Sequence, residues 1–478
     1  MTLAKKAAYG IAWVTLSSIL IRVFNFATKI ILARLLAPAD FGLLAIGLLA
    51  INSMGLLRDL GFGAALIYKK DDSDHTAANT AFMLLPIIAS VLFVLAYLSA
   101  PYVAMFFDTA AVEPIVRVLA LTFIISSFGT VPSMLLEKEL EFKKKVLPET
   151  VPVAGYACVT IGLALHGYGV WSLVYGQIVS AVLMAVLIWV VSDWRPTFKF
   201  DRGVARELFG YGKHILGASV VIFLITNIDD AIIGRMLGME ALGFYTMAYT
   251  ISNLPATQIT HLVSRVMFPA YSKLQDDRDA LRRAYLKTLK YVSMLSIPAA
   301  FGIFVIAPDF VSVVLGVKWM PAVPALQVLC FFGLSRSIAA TTGSIFQATG
   351  RPEILLKTSF IQLIVMVLLI YPLVIRYGIV GVGLAVTIPI FIQAIVQVYI
   401  VHRILHMNFK DVYITMFPTC LSSIIMTICL LLLKNKVYGL FHICSVNALI
   451  LSVLTGIITY ITILYIFDKN LIYDIKKL

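Results

Sequence analysis

The sequence predicts an all-α polytopic membrane protein of about 14 transmembrane helices. Three observations carry that class. Of 478 residues, 60% are hydrophobic and only 13% are charged, with a mean hydropathy of +0.95. Apolar runs close to the ~20 residues that cross a hydrocarbon core of ~30 Å recur along the chain. The alternating segments of ~10 residues that build a transmembrane barrel are absent. The net charge of +13 reads as the positive-inside bias of a polytopic protein. Nucleic acid is not an expected partner, since no polar stretch is long enough to fold as a basic soluble face.

The first element is a hairpin over residues 9–66. Span one, Tyr9–Leu36, carries Arg22 and Lys29. Lys5 and Lys6 before it imitate a signal peptide, but the apolar run is too long and holds Arg22, so an uncleaved span is expected. Thr15, Ser18, Arg22, Asn25 and Lys29 fall at helical spacing and make one polar stripe. The turn Ala37-Pro38-Ala39-Asp40 leads to span two, Phe41–Leu66, which carries Asn52, Arg58 and Asp59. Asp40, after Pro38, is placed to cap that span. A charge at the bilayer centre costs roughly 2.5–3.5 kcal/mol on insertion scales, so such residues face a bundle interior or a wet cavity. A hairpin with one cationic face is suited to line a path for an anion.

Spans three and four follow near 78–100 and 114–136. The charged stretch Glu137–Lys145 reads as a helical extension at the inner surface, with Lys143, Lys144 and Lys145 meeting anionic headgroups. Spans five and six, near 149–166 and 170–192, are joined by His166-Gly167-Tyr168-Gly169. A polar linker, 193–207, separates this N-terminal lobe (1–192) from a C-terminal lobe (208–405). Within the second lobe, spans seven and eight lie near 211–237 and 241–266. Tyr271–Lys290 is amphipathic and is expected to lie along the membrane surface before span nine, 291–314. Spans ten to twelve, near 322–348, 354–375 and 379–401, complete that lobe, and two C-terminal spans occupy 406–478.

With the N-terminus inside, the outer loops hold only Arg34, Arg235, Lys318, Arg376, Lys434 and Lys436, and the C-terminus returns inside. The localisation expected is a bacterial inner membrane. The five cysteines, Cys158, Cys330, Cys420, Cys429 and Cys444, form no C-x-x-C pair, so neither a disulfide framework nor a metal site is expected.

The halves repeat. Ala33-Arg34-Leu35-Leu36 and Gly42 align with Gly234-Arg235-Met236-Leu237 and Gly243 at an offset of 201, which also sets Asn253 on Asn52. Further on, Ala100-Pro101 aligns with Ala307-Pro308, and Tyr168-Gly169 with Tyr377-Gly378. Six spans duplicated predict two parallel, pseudo-symmetric six-helix lobes with an axis along the membrane normal.

The runs Leu35-Leu36-Ala37-Pro38-Ala39-Asp40-Phe41-Gly42, Leu57-Arg58-Asp59-Leu60-Gly61-Phe62-Gly63 and Asn227-Ile228-Asp229-Asp230 resemble the bacterial polysaccharide exporters. These include the O-antigen flippases and the colanic-acid and teichuronic-acid exporters. Their superfamily also holds the multidrug extruders and the lipid II flippase. The resemblance spans about residues 1–410. It implies fourteen helices, alternating access, and a cargo of oligosaccharide on undecaprenyl diphosphate moved to the periplasmic leaflet. It implies no resident cofactor, and leaves proton or sodium coupling open. Membrane lipids, and the polymerase and assembly proteins of a polysaccharide pathway, are the partners it suggests.

For such a cargo Arg22 and Arg58 are the leading diphosphate ligands, because a guanidinium offers paired donors to phosphate. Asn25, Lys29 and Asn52 complete the candidate binding set. Asp59, Asp229, Asp230 and Arg336 are candidate gate or coupling residues. The 201 offset sets Lys29 on Asp230, so a Lys29 pair with Asp229 or Asp230 is a candidate outer gate. Gln362, Gln393 and Gln397 are read as packing bonds first and glycan contacts second. No hydrolase triad, P-loop or glycosyltransferase-like acidic motif is visible, so the expectation is a transporter and not an enzyme. A cation-coupled small-molecule extruder and a non-transporting scaffold remain the alternatives. The cationic first span argues against the former.

Overall fold

The computed structural model describes residues 3–59, 66, 75–441 and 446–467. Side chains are described from Ser18 onward, apart from 19, 59, 207–216, 218, 261, 262, 264, 265 and 435–441. Among the described residues every regular element is a helix.

The helices are α1 (Leu3–Leu35), α2 (Pro38–Asp59), α3 (Thr76–Phe106), α4 (Val112–Lys138), α5 (Phe142–Leu165), α6 (Val170–Val191) and α7 (Arg202–Met236). They continue as α8 (Gly238–Lys273), α9 (Arg278–Phe310) and α10 (Val323–Ala348). The 53-residue element Glu353–Leu405 contains one non-helical residue, Gly378, and is two helices, α11 (353–377) and α12 (379–405). Finally come α13 (Phe409–Phe441) and α14 (Val446–Phe467). The order and number follow the fourteen spans read from the sequence, and the protein is a multi-pass membrane protein. Among the described residues ten elements are long and apolar enough to cross a membrane by length and composition, with Glu353–Leu405 counted once. The elements outside that set, α1, α7 and α8, have 33, 35 and 36 residues. Their length suffices at ~1.5 Å per residue. They are the helices that carry Arg22 and Lys29, Asp229 and Asp230, and Asn253.

Helix ends follow local chemistry. Asp40 sits three residues into α2, and its Oδ2 accepts from the Ala37 backbone N–H at 2.9 Å, the returning half of a capping box. Asp411 does the same for Asn408 N–H at 3.2 Å on α13. Asp201 and Asp277 are N-caps, each accepting at 2.9 Å from the N–H three residues on. The amphipathic stretch Tyr271–Lys290 is not a separate surface helix. It is cut by the turn at 274–277, so its first residues finish α8 and the rest opens α9 in one continuous helix. Asp277, as an N-cap, sets that cut.

The chain forms two compact units, Met1–Gly243 and Phe244–Leu478. In the first, α5 packs on α6, α3 on α4, α1 on α5, and α2 on α3, α4 and α7. This unit therefore includes α7, which the repeat assigns to the second lobe. The linker docks on α3. Asn79 Nδ2 donates to Thr197 Oγ1 at 2.7 Å, and Thr197 N–H donates to Asn79 Oδ1 at 2.8 Å. Thr80 Oγ1 accepts from Asp201 N–H at 3.2 Å. Trp194 of the linker stacks on Trp189 with centroids 6.0 Å apart, and Phe82 meets both rings edge-on. Two of the three lysines expected at headgroups also pair with acids. Lys144 pairs with Asp193 at 2.6 Å, and Lys145 pairs with Glu137 and, at 3.5 Å, with Glu149.

In the second unit α9 is the hub, packed on α10, α13 and α14. Val305, Met426, Leu430, Tyr460 and Leu464 make the apolar joint that holds the two C-terminal helices. Polar ties reinforce it: Tyr460 OH donates to Met294 O at 2.9 Å. Lys434 forms an ion pair with Asp309 and donates to Val305 O at 2.7 Å. Lys434, read from the sequence as an outer-loop residue, thus lies on α13 and is mostly buried.

Two features repeat between the halves. Gly169 has φ 52, ψ −133 and Gly378 has φ 58, ψ −134, so the two Tyr-Gly turns share one conformation that side-chain-bearing residues avoid. Within the first unit, a Cβ on Gly42 would strike the Met239 carbonyl, and a Cβ on Gly243 would strike the Pro38 carbonyl. Met239 is Pro38 plus 201, as Gly243 is Gly42 plus 201, so the contact is reciprocal.

Candidate functional site

The polar stripe of α1 stands on an unbroken helix, which keeps its residues on one side. Thr15 lies outside the described side chains. Ser18 and Arg22 are half-buried, and Asn25 and Lys29 are exposed. Before Lys29 on the same helix, Thr28 is buried and returns its hydroxyl to Phe24 O at 2.8 Å. α1 packs on α5.

On α2, Asn52 is exposed and Arg58 is half-buried. Among the described residues no hydrogen bond or ion pair engages the side chains of Asn25, Asn52 or Arg58. The Asp59 side chain lies outside the described residues. Asn25 on α1 and Asn52 and Arg58 on α2 are therefore uncommitted donors, which is what a ligand of many acceptors requires.

Asp229 and Asp230 sit together on α7. Asp229 is buried at 3% exposure and Asp230 is half-buried. Arg235, one turn on, turns away and lies 5.8 Å over the Phe106 ring. Beside the acids, α2, α3 and α7 enclose a cavity of about 270 Å³ lined by Ser53, Val103, Phe107, Phe223 and Asn227, among others. Asn227 spends its amide on Phe223 O at 2.9 Å and Thr226 Oγ1 at 2.8 Å. The same α2–α7 contact brings Gly234 against Ile46 and Phe107.

The second unit treats the corresponding polar residues differently. Asn253, the counterpart of Asn52, is 5% exposed. It donates to Tyr249 O at 3.1 Å and accepts from Arg336 Nη1 at 3.4 Å. Arg336 thus ties α10 to α8. Gln397 is fully bonded inside the bundle. Its Oε1 accepts from Thr342 at 2.7 Å, and its Nε2 donates to Thr358 at 3.0 Å. Gln393 reaches Ser359 at 3.5 Å. Thr342 and Thr358 were not singled out in the sequence, where a lone Thr in an apolar run carries no signal of its partner.

Between α9, α13 and α14 runs an almost wholly apolar groove of about 810 Å³, with Pro298, Gly302, Met426, Gly456 and Tyr460 on its walls. Outside the membrane spans, the Lys144 hydrogen bond and charge hold the Asp193 carboxyl below the usual carboxylate range. Among the described residues no group of three His, Cys, Asp or Glu is placed to hold a metal.

Comparison with known proteins fits this architecture. The chain is 29% identical over 360 residues to the lipopolysaccharide biosynthesis protein WzxC of Escherichia coli, covering 75% of this chain and 73% of that protein. It is also 29% identical to the teichuronic acid biosynthesis protein TuaB of Bacillus subtilis, covering 74% and 73%. In fold it matches the lipid II flippase MurJ in an inward closed conformation with a TM-score of 0.73, at 17% identity over 97% of this chain and 100% of that one. An inward-facing multidrug transporter of the MATE family follows at 0.66 and 18% identity, covering 83% and 98%. Residues 31–324 match the family described as "Polysaccharide biosynthesis protein"; that is more than half the chain, and the chain belongs to this family.

Proposed function

We propose that the protein is a flippase that moves an oligosaccharide linked to undecaprenyl diphosphate from the inner to the outer leaflet of a bacterial inner membrane. The observation that carries this reading is the face of α1 and α2. Arg22, Asn25, Lys29, Asn52 and Arg58 put cationic and amide donors on helices whose other sides are apolar. Such a headgroup cannot cross bare hydrocarbon, because each hydroxyl would lose its hydrogen bonds. The guanidiniums of Arg22 and Arg58 suit the diphosphate, and the amides suit the sugars.

The duplicated six-span lobes, 1–192 and 208–405, make alternating access the natural cycle, with both termini inside. Asp229 and Asp230 are the acids we assign to the gate and to coupling by a proton or sodium ion. The enzymes that assemble and polymerise the glycan are its functional partners.

The test is export in cells. Arg22→Ala and Arg58→Ala are each expected to abolish surface polysaccharide while membrane levels of the protein hold. Arg→Lys should restore part of it, since charge remains and the planar fork is lost. Normal surface polysaccharide in a well-expressed Arg22→Ala strain rejects the assignment.

A further inference from the structure

A second basic site lies in the second unit. The start of α9, the end of α10 and the end of α12 meet around a pocket of about 440 Å³. Three guanidiniums line it, from Arg278, Arg351 and Arg403, together with His406 and a single acid, Asp276. Its remaining walls include Leu281, Ile400, Ile404 and Leu405.

The three arginines are not consumed by protein acids. Among the described residues nothing bonds or pairs with the side chains of Arg278 and Arg351. The neighbouring acids are occupied elsewhere. Asp277 caps α9 through Ala280 N–H, and Asp279 lies 3.9 Å from Arg282. Arg403 is held in place by a neutral group. Its Nε and Nη2 donate to Tyr399 OH at 3.2 and 2.9 Å, and Tyr399 is itself stacked on Phe409 at 6.0 Å. One fork is therefore oriented before any ligand arrives, and two more converge on the same hollow.

A cluster of three Arg against one Asp calls for an anion with several acceptor oxygens, and guanidinium forks match phosphate oxygens in pairs. The apolar floor distinguishes between sources of phosphate. A free ion gains nothing from the half-buried Ile400 and Ile404, whereas a phospholipid can set its glycerol and upper acyl carbons against them. Three helix ends at one level also place the pocket at a membrane surface, where basic pockets between helices hold anionic headgroups. We propose that this pocket is a binding site for the phosphate headgroup of an anionic phospholipid.

The experiment is native mass spectrometry of the full chain titrated with phosphatidylglycerol, with phosphatidylcholine, and with inorganic phosphate. Phosphatidylglycerol is expected to be retained over phosphatidylcholine, and the double variant Arg278→Gln/Arg351→Gln should lose about tenfold or more of that binding. Asp276→Asn, which removes the pocket's acid, should strengthen it by about fivefold. The gain-of-binding variant tests the site even where the double variant folds poorly. Equal retention of the two lipids by the wild-type protein overturns the proposal, as does a double variant that binds like the wild type. Displacement of the lipid by inorganic phosphate alone overturns the assignment to a lipid.

Discussion

Lys29 and the acids of α7 allow a test at the level of single charges. If Lys29 pairs with Asp230 or Asp229 when the outer side is closed, Lys29→Asp and Asp230→Lys should each lose export, and the double swap should recover part of it. Additive losses, with Asp229 tested in the same way, remove the gate and leave Lys29 as a wall residue. Gln397 allows a test of packing. Gln397→Leu leaves Thr342 and Thr358 without their partner. Each hydroxyl keeps a bond to its own helix, at 2.8 Å to Ala339 O and 2.9 Å to Ile354 O. The cost is therefore set near 0.5–1.5 kcal/mol, at the low end for a broken buried bond. Thermal unfolding in detergent reads it, with export unchanged. Asp193 responds to pH. Its carboxyl is held low by Lys144, so the contribution of the pair is full above the ordinary carboxylate range of ~3.9 and fades as pH falls through the lowered value. Asp193 is exposed, so the effect is small and salt weakens it. Asp193→Asn should make the acid limb of the stability curve shallower. Residue by residue, the sequence named the charges of α1, α2 and α7 because a charge in an apolar run is conspicuous. It did not reveal that Asn253 is tied up by Arg336 while Asn52 is not, since two asparagines at matching positions look alike until their neighbours fold around them.

Among the helices, the Tyr-Gly turns are the sharpest test. Gly169 and Gly378 occupy the same backbone conformation, which costs a side-chain-bearing residue about 1–3 kcal/mol. Gly169→Ala and Gly378→Ala should therefore lower the unfolding temperature by similar amounts. A loss at one and none at the other would show that only one turn is held by its surroundings. Helix existence was legible throughout, because length and hydropathy decide it. The boundary at Tyr271–Lys290 was misread because a change from polar to apolar composition need not be a change of element. A helix that leaves the bilayer keeps its backbone bonds, and here only the Asp277 cap marks the start of α9. Lys144 and Lys145 show a related limit. Their basic run announces a surface, but not that Asp193 and Glu137 stand opposite.

For the whole molecule, reporter fusions should place 137–147, 193–207 and 272–290 on the inner side, and 105–113, 166–169 and 434–441 on the outer side. An inner 166–169 turn breaks the span count and the repeat together. The repeat was legible as collinear dipeptides, and the matching glycine conformations give the Tyr-Gly pair among them a structural cause. The membership of α7 in the first compact unit was not legible, because connectivity and hydropathy do not say which neighbour a helix packs against.

The reciprocal contact of Gly42 with Met239 and Gly243 with Pro38 has the form of an isologous interface, in which one patch meets its own copy. A half-length polypeptide with a single Pro38–Gly42 turn already holds both sides of that contact. Two such chains can meet about a twofold axis with no new surface. This contact between the starts of α2 and α8, inside the first unit, is thus of the kind that a homodimer would have made before the two copies became one chain. Enlarging either glycine alone breaks the match between the copies.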